Sequence, residues 1–158
     1  MGEVRLEIPA RVEYLGLARQ VVAAAAAVEP RFRDERIDDL RVAVSEATTN
    51  AIAAHALFDG DELIVIRCNL DDDRIEVAVL DKAGGFDPHD VRSAPDATAA
   101  DRLEWEHGLG LPLMRTLADE TDIEATDGGT TVRLVVYTPH HPEATRDPSP
   151  PVVTPIPE

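Results

Sequence analysis

Two alternating segments separated by three aspartates restrict the fold of this chain more than any other feature. Apolar side chains recur at every second position in residues 62–70, and residues 74–81 repeat the pattern. Alternation with a period of two is typical of half-buried strands, and the short connection at residues 71–73 predicts an antiparallel hairpin. A chain with such a hairpin needs a sheet with one buried face and a layer that covers this face.

Three helical segments are predicted to supply that layer. Apolar residues at helical spacing and a run of alanines predict a first helix over residues 11–28, with Val12 among its buried side chains. A second helix is predicted over residues 33–57 and a third over residues 109–119. Each helix has an apolar stripe that can face the sheet.

Further alternating segments complete the sheet at residues 3–8, 121–126 and 130–137. The predicted order is strand, helix, helix, strand, strand, loop, helix, strand, strand. Helices collected on one side of such a sheet give an α+β fold. We therefore expect a two-layer sandwich, in which a mixed, mainly antiparallel sheet of about five strands carries three helices on one face.

The chain divides into one domain and a tail. Residues 1–137 contain every predicted helix and strand, and a length of 158 residues fits a single core. Residues 138–158 hold seven of the 12 prolines and are predicted to be a disordered tail. Residues 83–107 show no clear period and are predicted to be a long loop, which in a compact domain is usually functional.

Charge and composition exclude several classes of protein. A net charge of −16 argues against binding to a nucleic-acid backbone or to an anionic membrane surface. It leaves open a basic protein partner, or a charge that serves only solubility. The single cysteine, Cys68, excludes an internal disulfide, and the sequence offers no apolar run for a membrane helix and no signal-peptide pattern. We expect a cytoplasmic protein.

Glu46 and Asn50 are the first candidate site residues. They are four positions apart, so a helix places them on one face, offset from the apolar stripe. Carboxylate and amide oxygens suit Mg²⁺, and one of the two could instead orient a water or an attacking hydroxyl. The alternative is a solvated pair on an exposed helix face.

Asp81 and Thr130 are candidates on the sheet. By alternation, Asp81 ends its strand on the apolar face, and Thr130 opens the last strand on the same face as Val132. A buried carboxylate needs donors, and an adenine amino group is one of them. The alternatives are a carboxylate satisfied by backbone amides and a turn followed by strand-forming residues.

Glycines stand beside these positions. Gly85 follows Asp81, and Gly108 and Gly110 precede the third helix, where backbone N–H groups can approach phosphates. Leu113 occupies the position of the third glycine of a dinucleotide-binding motif, and the sequence has no phosphate-binding P-loop. A glycine-rich hinge is the alternative.

The order of these features resembles a known family. The segments are Glu-x-x-x-Asn on a helix, Asp-x-x-x-Gly after a strand, Gly-x-Gly before a helix and Gly-Thr opening a strand, and they lie in residues 40–52, 77–87, 107–120 and 128–136. Together they resemble the nucleotide-binding boxes of the GHKL ATPases, the Bergerat fold of the histidine-kinase-like ATPase domain. Within that superfamily the chain most resembles bacterial anti-sigma factors that are also serine protein kinases, over residues 3–137.

The resemblance implies roles for the candidate residues, with ATP and Mg²⁺ as cofactors. Asn50 would ligate Mg²⁺, and Glu46 would be the general base for a serine hydroxyl. Asp81 would bind the adenine amino group, assisted by Thr130 through water. The pocket and its lid would be shaped by three glycines, Gly85, Gly108 and Gly110.

The resemblance also implies partners. These are an RNA polymerase sigma factor and an anti-anti-sigma protein of the STAS type, contacted in part by Arg19 on the first helix, with a possible homodimer. No direct contact with nucleic acid or membrane is implied.

Three positions depart from the family pattern. Ala83 replaces a frequent glycine, and His107 stands where an arginine often precedes the glycines. His55 follows Asn50 by five residues instead of the common four, so it turns toward the core and is interpreted as a packed, hydrogen-bonded histidine. The departures leave open an alternative function, a protein-binding regulatory module of the same fold without kinase activity.

Overall fold

The computed structural model describes residues 2–56, 61–82, 110–126 and 128–144. In this part of the chain the alternating segments form one five-stranded sheet with the order β1-β2-β3-β5-β4, and every neighbouring pair is antiparallel. The strands are β1 (Gly2–Ile8), β2 (Ile64–Leu70), β3 (Arg74–Asp81), β4 (Glu120–Thr126) and β5 (Gly129–Tyr137). The hairpin expected from the alternating segments is β2–β3, so this prediction is confirmed.

In the described part of the chain, three α-helices accompany the sheet: α1 (Leu15–Ala26), α2 (Asp34–Ala56) and α3, which is described over residues 110–117. The first helix begins later than predicted, because Val12–Tyr14 form a 3₁₀ turn. Such a turn repeats every three residues, so its side chains leave the stripe that a 3.6-residue period defines. The placement of Val12 in the buried stripe was therefore wrong, and its side chain is 67% exposed.

The core lies between one face of the sheet and the helices. The inward positions of the strands are aliphatic, and α1 and α2 pack on them and on each other. Many of the buried helix residues are alanines, which let the helices approach closely; the chain has few aromatic residues with which to fill wider gaps. The α+β class and its helical layer are thus as expected. The buried residues at the centre include Ile64, Ile66, Ile75, Val77, Leu134, Val22, Leu40, Val44 and Met114.

The opposite face of the sheet is polar and carries an ion network. The Arg133 guanidinium on β5 donates to Glu76 at 2.8 Å, to Asp122 at 3.0 Å and to Glu120 at 3.2 Å. These three carboxylates come from both neighbouring strands, so the network joins β3, β5 and β4. A hydrogen bond from the Tyr137 hydroxyl, and then the Arg133 guanidinium, lower the pKa of Glu120.

The chain continues in contact with the domain after Tyr137. Thr138 donates its N–H to the Asp73 carbonyl at 2.7 Å, and the His141 ring stacks on Tyr137 with 3.9 Å between centroids. The Tyr137 hydroxyl also donates to Glu143 at 3.2 Å. Residues 138–144 of the segment predicted as a tail therefore pack on the sheet, while residues 145–158 lie outside the described residues. No helix in the described ranges has the length and apolarity to span a membrane.

Candidate active site

The α2 helix presents Glu46 and Asn50 to the beginning of α3. A Cβ atom built on Gly110 would lie 3.0 Å from Glu46 Oε2 and 3.6 Å from Asn50 Nδ2. Both side chains are half-buried, and Gly110 itself is buried. The structure thus brings three sequence-predicted residues together, and it excludes the interpretation of Glu46 and Asn50 as a fully solvated pair.

Asp81 and Thr130 meet at the ends of adjacent strands. They are register partners in the β3–β5 pair, and the Thr130 N–H donates to Asp81 Oδ1 at 3.4 Å. Asp81 is 8% exposed on the inward face of β3, as its alternation predicted, and Thr130 is half-buried. A backbone amide therefore contributes to holding this buried carboxylate in place.

Gly129 allows the β4–β5 turn to close on Asp81. Its φ angle is +136°, and a Cβ atom at this position would lie 1.9 Å from the Asp81 carbonyl oxygen. No residue with a side chain fits such an approach. The sequence showed a Gly-Gly turn here, but it did not show that the second glycine is fixed by contact with β3.

His55 connects α2 to the chain just after Asp81. Its ring is 6% exposed, and Nε2 accepts the Lys82 N–H at 3.4 Å. The interpretation of His55 as a packed, hydrogen-bonded residue is confirmed. His55 follows Asn50 by five residues, a rise of about 7.5 Å along the helix. Because His55 lies beside Lys82, Asn50 and Glu46 lie on the part of α2 that leads to the end of β3 at Asp81.

Of the remaining predicted site residues, Arg19 lies within the described ranges. Gly85 and Gly108 are outside the described residues, as are Ala83, His107 and the predicted lid. Arg19 is exposed on α1 and lines a cleft of about 380 Å³ between α1 and α2. The other residues lining this cleft are Gly16, Gln20, Asp38, Arg41 and Val42.

A second cleft, of about 400 Å³, lies on the polar side of the sheet and includes Arg5, Arg67, Leu80 and Lys82. It reaches Asp81, but that carboxylate belongs to the inward face of β3, where α2 packs. Glu46 and Asn50 do not line this cleft. The chemistry of the candidate site is therefore placed on the helical side of the sheet.

Comparison with known proteins identifies the family of this chain. Residues 8–136 match the family described as the histidine kinase-like ATPase domain. The matched range contains Glu46, Asn50, Asp81, Gly110 and Thr130.

Similar curated proteins carry two names. A serine-protein kinase RsbW from Bacillus pumilus is 38% identical over 80% of this chain and 81% of its own length, and that from Bacillus subtilis is 36% identical over 85% and 84%. An anti-sigma F factor from Caldanaerobacter subterraneus is 42% identical over 76% of this chain and 82% of its own.

Among solved structures, the RsbU and RsbW domains of a Mycobacterium tuberculosis protein match with a TM-score of 0.61 and 20% identity. The match covers 86% of this chain and 32% of that one, so this chain spans about a third of that structure's length. At this identity the likeness concerns the fold alone. The family match over most of the chain and the relatives above 30% identity decide the assignment: the chain belongs to the histidine kinase-like ATPase family.

Proposed function

We propose that this protein is an ATP-dependent serine protein kinase that also acts as an anti-sigma factor. The observation that carries the proposal is the contact of Gly110 with Glu46 and Asn50, which joins two of the family's nucleotide-binding segments. The names of its relatives, serine-protein kinase and anti-sigma factor, support both halves of the proposal.

The described residues fit magnesium and ATP. Glu46 and Asn50 supply hard oxygen atoms of the kind that Mg²⁺ prefers. A methyl group at Gly110 would lie 3.0 Å from the Glu46 carboxylate, so the missing side chain leaves space beside that carboxylate. When bound, Mg²⁺ neutralises part of the phosphate charge. Asn50 is the residue proposed to hold it.

The chain's own residues have distinct tasks in this proposal. Glu46 accepts the proton of the serine hydroxyl as general base, from a position fixed on α2. Asp81 accepts a hydrogen bond from the adenine amino group, and Thr130 assists through water. Gly85, Gly108 and Gly110 shape the phosphate end of the pocket, where catalysis consists mostly of positioning.

The proposed partners are a sigma factor and an anti-anti-sigma protein of the STAS type that carries the substrate serine. Arg19 is exposed on α1 beside the α1–α2 cleft, as a partner-contacting residue must be. A sigma factor acts on RNA polymerase, so the proposal includes a cytoplasmic location. A homodimer is part of the proposal as well.

The test is transfer of phosphate from γ-labelled ATP to STAS-domain proteins encoded in the same genome. We expect label on serine, and we expect Glu46→Gln to lower the transfer rate about 100-fold or more, since general base catalysis contributes about 10²–10⁴-fold. Glu7→Gln, which removes a charge from an exposed ion pair on β1, is the matched control and should keep the wild-type rate.

Calorimetry with Mg²⁺ and ATP separates the alternatives. Glu46→Gln should retain nucleotide binding, because adenine recognition is assigned to Asp81. Transfer that persists at the wild-type rate in Glu46→Gln would remove Glu46 from the base role. A wild-type protein that gives no binding heat would instead be the regulatory module without kinase activity that Ala83 and His107 leave open.

A further inference from the structure

A buried ion pair joins the beginning of α2 to Asp119, the second residue after the end of α3. The Arg36 guanidinium donates to the Asp119 carboxylate at 2.5 Å, and the two side chains are 7% and 1% exposed. Arg36 also donates to the carbonyl of Leu117, the last residue of α3, at 3.2 Å and to the Asp39 carboxylate at 3.1 Å. One guanidinium therefore holds the end of α3 against the first turns of α2.

Asp119 is fixed to the sheet at the same time. Its carboxylate accepts the Tyr137 N–H at 2.8 Å, and its own N–H donates to the Val135 carbonyl at 2.8 Å. Both partners lie on β5. A movement of Asp119 would leave buried donors and acceptors without partners, which is costly, so the end of α3 is held by α2 and by the sheet together.

The other end of α3 lies at the candidate active site. Gly110 lies so close to Glu46 and Asn50 that an added Cβ atom would be 3.0 Å from Glu46 Oε2 and 3.6 Å from Asn50 Nδ2. Glu46 follows Arg36 by ten residues, a rise of about 15 Å along α2. The eight described residues of α3 span about 12 Å. The two helices therefore run antiparallel, and α3 reaches from the Arg36–Asp119 pair to Glu46.

We propose that Arg36 and Asp119 are positioning residues that fix α3 so that Gly110 meets Glu46 and Asn50. This inference rests on the proposed kinase function for its effect on catalysis. A buried ion pair contributes little stability compared with well-packed apolar residues, but its directional hydrogen bonds define one geometry. Arg36 lies outside the nucleotide-binding segments, whereas Asp119 lies near the end of the segment at residues 107–120. The pair acts through α3.

Two substitutions at the pair have a matched control. Asp119→Asn keeps the size of the side chain and an acceptor for the Tyr137 N–H, but it removes the charge that holds Arg36. Arg36→Lys keeps the charge and lacks the forked donors that reach both Leu117 and Asp119. Asp71→Asn is the same change in an exposed ion pair with Arg74, 3.7 Å apart in the β2–β3 turn, and serves as the control.

The first measurement does not need activity. In amide NMR spectra of the full chain, the Gly110 backbone amide and the Asn50 side-chain amide should shift in Asp119→Asn and Arg36→Lys and keep their wild-type positions in Asp71→Asn. Unchanged resonances in both pair variants would overturn the positioning role. This outcome can be recognised even if the wild type transfers no phosphate, which would contradict only the kinase function.

The second measurement is a double-mutant cycle on the transfer rate. We expect Asp119→Asn to lower kcat about 10-fold or more, because small displacements of catalytic groups have effects of this size. Gly110→Ala alters the contact with Glu46 directly. Sites more than about 10 Å apart normally act independently, so their fold-losses multiply. If the pair acts through α3, the fold-loss of kcat in the double variant should be smaller than the product of the two single fold-losses, by about threefold or more.

A kcat loss in the double variant that equals this product within twofold would leave Arg36 and Asp119 with a structural role alone. The control cycle, which combines Asp71→Asn with Gly110→Ala, should give that result. Unfolding curves establish that each variant is folded at the assay temperature. If the pair variants do not fold, Asp39→Asn supplies the cycle, since it removes the charge of the partly exposed carboxylate that also binds the Arg36 guanidinium. Multiplicative behaviour in that cycle would equally overturn the proposal.

Discussion

At the scale of single residues, Gly129 shows how one missing side chain sets the position of a candidate ligand-binding group. The backbone of Gly129 lies against the carbonyl of Asp81, and the next residue donates its N–H to the Asp81 carboxylate. The alternating pattern predicted that Asp81 and Thr130 face inward, and this is how the structure places them. The alternating pattern carries no information on the φ angle of Gly129. The need for a glycine at this position follows only from the structure, in which the β4–β5 turn lies against β3.

We expect Gly129→Ala to lower the free energy of unfolding by about 2 kcal/mol or more, from an unfavourable φ and the overlap with Asp81. Urea denaturation measures this change. Gly2→Ala is the control, because a Cβ atom there would meet nothing within 4 Å. A loss within about 0.5 kcal/mol, the range of ordinary surface changes, would contradict the close contact.

At the scale of elements, local pattern predicted most of the secondary structure. The hairpin and α2 lie within two residues of their predicted bounds, because each has many apolar residues at one clear period. The beginning of α1 was missed, since Val12 continues the helical spacing although the chain there forms a 3₁₀ turn. That turn follows a backbone bond from Arg11 N–H to the Pro9 carbonyl at 2.8 Å, which the spacing of apolar residues does not encode.

Val12 and Val22 both belong to the apolar stripe predicted for the first helix, and they should respond differently to the same substitution. We expect Val12→Ala to change the free energy of unfolding by less than about 0.5 kcal/mol, as for a surface position. Val22→Ala, on the same predicted stripe but fully buried, should cost about 1–3 kcal/mol through lost contacts and a cavity. Urea denaturation of both variants is the measurement, and equal losses would show that Val12 packs in the core.

At the scale of the whole molecule, the fold class followed from the order of elements, whereas the contacts between distant segments did not. Arg36 and Asp119 are 83 residues apart, and each reads in the sequence as an ordinary surface charge. Only the antiparallel placement of α3 beside α2 brings them together. Glu46, Asn50 and Gly110 were selected from short sequence segments, and the structure places them close together. Their roles stay predictions, and which of their atoms meet could not be derived from spacing.

The hydrogen bond between Tyr137 and Glu120 should affect the stability of the molecule at alkaline pH. The hydrogen bond to Glu120, with burial as the second cause, raises the pKa of Tyr137 to about 12. A tyrosine in the unfolded chain has a pKa near 10. The fold therefore favours the neutral phenol, and this contribution is complete below pH 10 and is lost as the pH rises toward 12.

We accordingly expect the free energy of unfolding of the wild type to fall more steeply between pH 10 and 12 than that of Tyr137→Phe. Urea denaturation at several pH values gives both slopes. The comparison is made between slopes, because the substitution also removes the hydrogen bonds to Glu120 and Glu143 at every pH. Parallel slopes would mean that the Tyr137 phenol has the same pKa in the folded and in the unfolded protein.

The length of α2 has a consequence for communication across the protein. Its 23 residues form a rod of about 35 Å. Near its beginning, Asp38, Arg41 and Val42 line the cleft that Arg19 borders. About one to three turns later, Glu46 and Asn50 lie close to Gly110. A protein bound over that cleft would contact the same continuous helix that carries Glu46 and Asn50, so the cleft and the candidate site share one rigid element.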